Sequence, residues 1–200
     1  MRYGIDVSEN NGIVDWQAVK DAGYDFAIVR CSYGKTGRDD KFLENVNGAH
    51  AVGLQVGAYH YGYGLTPYDA TVEASNCKEA IAESGVLLEL PVFYDMEDAD
   101  GYKARHGFDF SSNNVTEICR TFLNYMHPLD CGVYASEAWL NEGTLDWRSL
   151  GCAVWNASWK NGYNPTADDD GTDGIKGFMW QYTSRADIDG KEFDADVIYD

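Results

Sequence analysis

Residues 90–97 read LPVFYDME, a short apolar run that ends in two acids placed two positions apart. A run of this kind is typical of a strand that is buried on both faces. Carboxylates are costly to bury without a partner, so Asp95 and Glu97 are expected at an edge of the core. The stretch therefore predicts a strand whose C-terminal end opens onto a polar site.

Strand-like runs recur along the whole chain, and helical patterns separate the early ones. The runs span residues 2–8, 25–33, 54–63, 90–97, 131–136, 151–158, 177–184 and 193–199. Helical patterns, most of them bounded by Asp and by Gly or Pro, span 15–23, 39–53, 69–85, 113–128 and 137–143. Such alternation predicts parallel pairing through right-handed crossovers. We predict an α/β fold, an irregular TIM-like barrel of eight mostly parallel strands with about five helices, the late helices missing.

Composition limits the partners of this chain. Two hundred residues suit a single domain, 1–200, and a net charge of -18 argues against nucleic acid or an anionic membrane as a partner. The longest apolar stretch is too short to span a bilayer. Aromatic residues make up 14% of the chain, which suits either core filling or a groove for sugars. No protein partner is indicated, and a monomer is expected.

The cysteines and the acidic loops indicate neither a metal nor a cofactor. The five cysteines form no CxxC pair and have no histidine at zinc spacing, so we expect them to be reduced and buried. The acidic run at 168–174 misses the spacing of an EF-hand and is interpreted as a solvated turn. The chain enters a strand pattern at once, so no signal peptide is expected. These features predict a protein made in a reducing compartment, or the mature part of a longer one.

Polar and aromatic residues gather at the predicted strand ends, where the active sites of such barrels lie. Asp95 and Glu97 share one face of their strand, with Cα atoms about 6.6 Å apart. Asp6, His60 and Asp194 lie on other strands. Aromatic residues accompany them at Tyr33, Tyr61, Tyr63, Tyr134, Trp155, Trp159 and Tyr182. Acidic side chains surrounded by aromatic rings favour a polysaccharide ligand. Two of these residues have a simpler interpretation: a lone histidine such as His60 is more often a core or rim residue, and Trp155 suits a core.

Eight segments together resemble glycoside hydrolase family 25, the lysozymes (muramidases) of phage endolysins and bacterial autolysins. They are YGIDVSENNGIVDW (3–16), FAIVRCSYG (26–34), GAYHYGY (57–63), DMED (95–98), GVYAS (132–136), WNASW (155–159), WQYTS (180–184) and FDAD (193–196). The segments follow the order of the family and cover nearly the whole chain. The main departure is Asp196, where the family commonly has Asn.

The resemblance implies hydrolysis of the β-1,4 bond from N-acetylmuramic acid to N-acetylglucosamine in bacterial cell-wall peptidoglycan. It places the catalytic acids at Asp6, Asp95, Glu97 and Asp194. We expect substrate contacts from Tyr33, Tyr59, His60, Tyr61, Tyr63, Tyr134, Trp155, Trp159, Gln181 and Tyr182. Asp196 is expected to hold a loop or a strand end, as the family's Asn would.

Glycosidic cleavage needs one group that protonates the leaving oxygen and one that supports an oxocarbenium-like centre. The neighbours Asp95 and Asp98 are expected to raise the pKa of Glu97, which would make Glu97 the general acid/base. Asp95 would stay ionised, either as nucleophile or as the group that orients the 2-acetamido group of the sugar. Spacing alone leaves both open; an acetamido-bearing substrate favours substrate assistance with net retention.

Two other interpretations remain. A chitinase-like glycosidase would carry an Asp-x-x-Asp-x-Asp-x-Glu strand, but Phe93 stands two positions before Asp95. A catalytically inactive carbohydrate-binding barrel would not need all four acids. For location, the sequence favours a phage endolysin that a holin releases from the cytoplasm, with an exported autolysin as the alternative and no cell-wall-binding module in this chain.

Overall fold

Eight strands close into a barrel in the computed structural model, which describes residues 1–159, 165, 175 and 177–199. The strands of the described residues are β1 (Arg2–Val7), β2 (Phe26–Tyr33), β3 (Gly37–Arg38), β4 (Gln55–Tyr61), β5 (Val92–Asp95), β6 (Cys131–Ser136), β7 (Ala153–Ala157), β8 (Met179–Ile188) and β9 (Lys191–Ile198). Their order around the barrel is β1-β9-β8-β7-β6-β5-β4-β2, and β1 pairs with β2 to close it. The two-residue strand β3 is an addition at the edge of β2. The predicted eight-stranded barrel is confirmed.

The last strand runs against its neighbours. β9 is antiparallel to both β8 and β1, whereas the other pairings within the barrel are parallel. The β8–β9 connection is a two-residue turn, Asp189-Gly190, with φ of 52° and 79°. Positive φ at both central residues matches the twist of a tight hairpin, for which Asp-Gly is a preferred pair. A parallel connection would need a crossover of a dozen or more residues, so the short turn sets the direction.

Helices cover the early strands of the barrel. They are α1 (Trp16–Asp21), α2 (Phe42–Ala51), α3 (Pro67–Ser84), α4 (Tyr102–Arg105), α5 (Ser112–Met126) and α6 (Glu137–Asn141). All five predicted helices are present, and the single-turn helix α4 was not predicted. Asp15 caps α1 as expected. The N-cap of α2 is Lys41, which makes no side-chain cap; Asp39 accepts the amide of Lys41 with one oxygen and the guanidinium of Arg30 with the other. Thr66 and Asp69 form a capping box at the start of α3.

Side chains alternate between the inside of the barrel and its outer face. The apolar floor of the interior consists of Phe26, Ile28, Leu90, Phe93, Tyr134, Trp155, Met179 and Ile198. Outward-facing residues of the early strands pack under the helices in the largest core cluster. The outer face of β8 and β9 is covered differently, by an aromatic cluster of Trp180 and Tyr182 with Tyr3 and Tyr24. Aromatic side chains thus cover the outer face of the sheet where late helices were expected to be missing.

The remaining predictions about the chain concern its thiols and loops. All five cysteines are free, and Cys31, Cys77 and Cys119 are buried, as expected; Cys131 and Cys152 are only half-buried, contrary to the expectation. The acidic run at 168–174 lies outside the described residues. Among the described helices, none has the length and apolar character that crossing a membrane requires.

Candidate active site

An acidic cavity of about 350 Å³ opens where the parallel strands end, at the mouth of the barrel. Four carboxyl side chains line it: Asp6, Asp95, Glu97 and Asp194. Asp95 is the last residue of β5 and pairs with Tyr61 of β4 on one side and Tyr134 of β6 on the other. Asp6 of β1 lies directly opposite Asp194 of β9. The barrel therefore brings together all four acids expected from the sequence.

Burial dominates the electrostatics of Asp6 and Asp194. It raises the pKa of Asp6 well above its usual range, and the nearby charge of Asp194 raises it further. Burial also raises the pKa of Asp194 to about 6. Two carboxyls at neighbouring positions of a low-dielectric mouth resist ionising together. This wall of the cavity therefore retains protons at pH values where free aspartate is fully ionised.

Asp95 and Glu97 form the opposite wall, and both have raised pKa values. Burial is the largest cause of the raised pKa for each residue. The charge of Glu97 raises the pKa of Asp95 further, and the charges of Asp100 and Asp194 raise that of Glu97. Asp98 was expected to raise the pKa of Glu97, but its carboxylate instead accepts hydrogen bonds from the amides of Lys103 and Ala104. Burial and the charge of Glu97 both raise the pKa of Asp95, so they oppose the ionised state that the sequence led us to expect, which stays a prediction.

Lys103 supplies a buried positive charge beside this pair, and sequence reasoning missed it. Its side chain is only 1% exposed, and its Nζ donates to the carbonyl oxygen of Glu97 at 2.7 Å and to that of Gly62. The ammonium lowers the pKa values of Glu97 and Asp95 against the effect of burial. Lys103 therefore ties the loop after β5 to the end of β4 and moderates the charge of the carboxyl pair.

Gln181 organises the other wall of the cavity. Its Oε1 accepts hydrogen bonds from Tyr134 Oη at 3.1 Å and from Trp159 Nε1 at 2.9 Å. An indole nitrogen can only donate, so the orientation of the amide is fixed. The Nε2 of Gln181 then donates to Asp6 Oδ2 at 2.6 Å. Trp159 is 58% exposed and presents its indole at the rim, whereas Trp155 lies on the floor.

A side groove of about 600 Å³ extends from the acidic cavity. It is lined by Glu9, Arg30, Tyr33, Tyr61, Tyr63 and Asp100, and it shares Tyr61 and Glu97 with the cavity. Arg30 is held in place by Asp39 at 2.8 Å and Glu9 at 3.0 Å. Its inward direction was readable from the sequence, because Phe26, Ile28 and Arg30 alternate along one face of β2.

Most of the expected substrate-contacting residues line the cavity or the groove. Those that do so are Tyr33, Tyr59, Tyr61, Tyr63, Tyr134, Trp155, Trp159 and Gln181. His60 does not. It is fully buried on the outer face of β4, where its Nδ1 lies 2.8 Å from Ser32 Oγ and its ring stacks on Tyr94. Burial lowers the pKa of His60 to about 3, so it is a neutral core residue.

Tyr182 and Asp196 also differ from expectation. Tyr182 lies on the outer face of β8 with Tyr3 and Trp180, so it faces away from the mouth. Asp196 holds neither a loop nor a strand end. It is fully buried inside the barrel, where its Oδ1 accepts a hydrogen bond from Trp155 Nε1 at 2.8 Å.

The geometry agrees with a match to a known family over most of the chain. Residues 5–191 match the glycosyl hydrolases family 25. The chain belongs to this family. Glycoside hydrolysis uses a pair of carboxyl groups, and four carboxyl groups line the mouth of this barrel.

Two curated relatives of this family 25 chain are lysozymes. Lysozyme M1 of Streptomyces globisporus is 27% identical over 213 residues, covering 96% of this chain and 65% of the relative. The autolytic lysozyme of Clostridium acetobutylicum is 27% identical over 187 residues, covering 86% of this chain and 56% of the relative. The chain thus spans less than two thirds of the length of either relative.

Solved structures share the family 25 barrel. The CTP1L endolysin superposes with a TM-score of 0.80 at 26% identity, covering 100% of this chain and 67% of that one. The autolysin LytC of Streptococcus pneumoniae, solved with a synthetic peptidoglycan ligand, gives 0.83 at 24% identity, covering 99% and 46%. A lysozyme of Streptomyces coelicolor gives 0.75 at 24% identity, covering 98% and 91%. At 24% identity the likeness to LytC and to the S. coelicolor lysozyme shows the fold alone.

Proposed function

We propose that this chain is an N-acetylmuramidase, which hydrolyses the β-1,4 bond between N-acetylmuramic acid and N-acetylglucosamine in bacterial peptidoglycan. The observation that carries the proposal is the acidic cavity itself. Four carboxyls converge there, with Tyr61 and Tyr134 beside them and Trp159 at the rim. Family membership and the names of the relatives, which are two lysozymes and an endolysin, support the same substrate.

Glu97 acts as the general acid/base in this proposal. It faces both the acidic cavity and the side groove, so its carboxyl reaches the sugar on either side of the scissile bond. Burial raises the pKa of Glu97, which keeps a proton available for the leaving oxygen near neutral pH. Tyr61 lies beside this carboxyl and lowers its pKa against the effect of burial.

Asp95 supports the positive charge that develops on the sugar. It lies deeper than Glu97, and no donor among the described residues reaches its buried Oδ1, which leaves that oxygen free to accept a bond from the sugar. In the free enzyme the pair holds protons that burial favours. An oxocarbenium-like centre, or the N–H of a 2-acetamido group, stabilises the ionised form of Asp95 when the sugar is bound. We therefore assign Asp95 to orienting the acetamido group, with net retention, and keep direct nucleophilic attack as the alternative role.

Asp6 and Asp194 stand across the cavity and add negative potential around the sugar. The aromatic residues of the cavity and groove supply flat apolar faces for successive sugar rings, a use of aromatic side chains that combines large contact area with little conformational freedom. We propose that residues 1–200 act as one catalytic domain and as a monomer. The enzyme reaches the wall either as a phage endolysin or as an exported autolysin.

The test is a rate comparison on two substrates. Glu97→Gln keeps the shape of the side chain and removes the transferable proton, so lysis of bacterial walls should fall by at least about a hundredfold with an unchanged melting temperature. The matched control is Glu83→Gln on the exposed end of α3, which should lyse walls at the wild-type rate. Chitin should remain uncleaved by the wild type. Wild-type lysis by the Glu97 variant, or faster cleavage of chitin than of walls, would refute the proposal.

A further inference from the structure

Asp196 is a buried acid that the proposed reaction does not use. It lies on β9, two residues beyond Asp194, and points into the barrel beneath the acidic cavity. None of its surface is exposed. An acid at this depth requires its own explanation. An ionised carboxylate at such a depth is costly unless it is paired or fully hydrogen-bonded.

The hydrogen bonds around Asp196 account for only one of its oxygens. Oδ1 accepts from Trp155 Nε1 at 2.8 Å, while Oδ2 is buried and no donor in the described part of the chain reaches it. Asp196 lies opposite Gly4, and Asp194 lies opposite Asp6, so the side chains of Asp6 and Asp196 point to the same face of neighbouring strands and interact there. Two carboxylates are both acceptors, so the contact between them requires a proton on one side.

The neighbours of Asp6 decide which side carries that proton. Gln181 has its Oε1 committed to Tyr134 and Trp159, so its amide nitrogen donates to Asp6 Oδ2 at 2.6 Å. Asp6 is also the less deeply buried of the two, since it lines the open cavity. Asp6 is therefore the better placed to be ionised.

We propose that Asp196 is a neutral carboxylic acid that donates its proton to Asp6 and so positions Asp6 at the floor of the acidic cavity. In this form it makes the two hydrogen bonds that an Asn side chain would make at the same place, one accepted from Trp155 and one donated to Asp6. Asp196 is a positioning residue, because it lies beneath the cavity and reaches the sugar only through Asp6.

The groups around Asp196 reinforce the neutral form. Asp6 faces it from β1 and Asp194 from its own strand, and both act to raise its pKa together with burial, which is the largest cause. Tyr24 and Tyr182 lie on the outer face of the barrel; burial is the largest cause of their raised pKa values, and an ionised Asp196 would raise both further. The indole of Trp155, on β7, favours the ionised form but forms only one hydrogen bond.

Infrared spectroscopy of the intact chain tests the position of the proton without any substrate. With ¹³C-labelled aspartate, the wild type at pH 7 should show a protonated carboxyl stretch that loses one carboxyl's share of its intensity in Asp196→Asn. The difference between the two spectra separates the band of Asp196 from those of Asp6, Asp95 and Asp194, whose pKa values are also raised. Asp21→Asn, which changes an exposed aspartate on α1, should keep the band. A band that survives in Asp196→Asn unchanged would overturn the proposal, and so would its absence from the wild type.

Thermal melts give a second reading. In the unfolded chain Asp196 releases its proton near pH 4, whereas in the folded chain it keeps the proton. The free energy of unfolding of the wild type therefore decreases as the pH rises above about 4. Asp196→Asn lacks this linkage, and its melting temperature should gain on the wild type by about 3–6 °C per pH unit above pH 4. Parallel pH dependence of the two proteins would count against a retained proton.

Activity then tests the positioning role, and this arm alone rests on the proposed function. Asp196→Leu removes the donor to Asp6 and should lose at least tenfold in wall lysis. Asp196→Asn restores the donor and should recover most of that loss. Equal activity of the Leu and Asn variants would refute positioning while leaving the muramidase proposal intact. If the Leu variant does not fold, the infrared and melting results on the Asn variant decide.

Discussion

Replacing Lys103 by Met tests whether a buried cation tunes the carboxyl pair of this enzyme. The Lys103 side chain is 1% exposed, and its Nζ donates to the carbonyl oxygens of Glu97 and Gly62. Methionine keeps the apolar stem and its length but removes both hydrogen bonds. Each buried carbonyl left without a donor costs about 1–3 kcal/mol. Part of that loss is regained because the ammonium no longer has to be desolvated, a cost that already lowers the pKa of Lys103.

The net expectation for Lys103→Met is a loss of about 2–4 kcal/mol in the free energy of unfolding. For a chain of this size, that lowers the melting temperature by roughly 10 °C. The same change removes the charge that lowers the pKa values of Asp95 and Glu97. Both limbs of the activity profile should therefore move to higher pH, because each carboxyl holds its proton longer. Wall-lysis rates across pH, with melts at each pH, measure both effects.

Lys78→Met is the matched control. Lys78 Nζ also donates to two backbone carbonyls, those of Tyr125 at 3.2 Å and His127 at 3.3 Å, but Lys78 is not among the main causes of the Asp95 and Glu97 pKa shifts. This variant should lose at most about 1 kcal/mol and leave the pH profile in place. A Lys103 variant that melts lower but keeps the wild-type profile would show that the ammonium only stabilises the loop. A displaced profile in the Lys78 variant would refute the local electrostatic reasoning.

Three further predictions concern charge. Asp194→Asn should lower the rate of wall lysis at least tenfold, which corresponds to about 1.4 kcal/mol of barrier. It should also shift the pH profile of activity to lower pH, because the charge of Asp194 raises the pKa of Glu97. An unchanged pH profile would place Asp194 outside the site. The chain has a net charge of -18 and the bacterial wall is anionic, so the two repel each other at low salt. Moderate salt should speed lysis, because at 0.1 M it screens charges that are more than about 10 Å apart. A lysis rate that declines steadily from low salt upward would indicate that the active face is locally positive. Burial raises the pKa values of four acids, so the folded chain retains protons that the unfolded chain releases; the acids are Asp6, Asp95, Glu97 and Asp194. The melting temperature should therefore fall as the pH rises from about 4 to 6. A melting temperature that rises over this range would contradict the retention of these protons.

Strand periodicity explains both the successes and the errors at the site. Residues of a strand alternate between faces, so a motif that is carried over whole includes neighbours that cannot share a cavity. Tyr59 and Tyr61 point into the barrel, which sends His60 to the outer face. Gln181 points inward, which sends Tyr182 outward. The alternation, applied to each segment in turn, is sufficient to exclude both His60 and Tyr182 from the cavity.

Lys103 could not be found in the same way. It lies on α4, a single turn of helix that is too short to show a period of 3.6 residues. Lysine is also among the residue types least often buried, so its sequence context gave no reason to place it inside. Its position follows from the loop after β5 folding back over the mouth, with Asp98 accepting the amides of Lys103 and Ala104. Tertiary contacts of this kind are not encoded in any local pattern.

The direction of β9 explains why Asp194 and Asp196 have such different surroundings. In the parallel strands, the C-terminal end reaches the mouth, as Asp95 does on β5. The tight Asp189-Gly190 turn reverses β9, so its N-terminal part lies at the mouth and each later residue lies deeper. Asp194 therefore opens into the acidic cavity, and Asp196 descends toward the apolar floor where Ile198 packs. An acid placed there by the direction of the chain is far from water, and a retained proton is the least costly way to keep it.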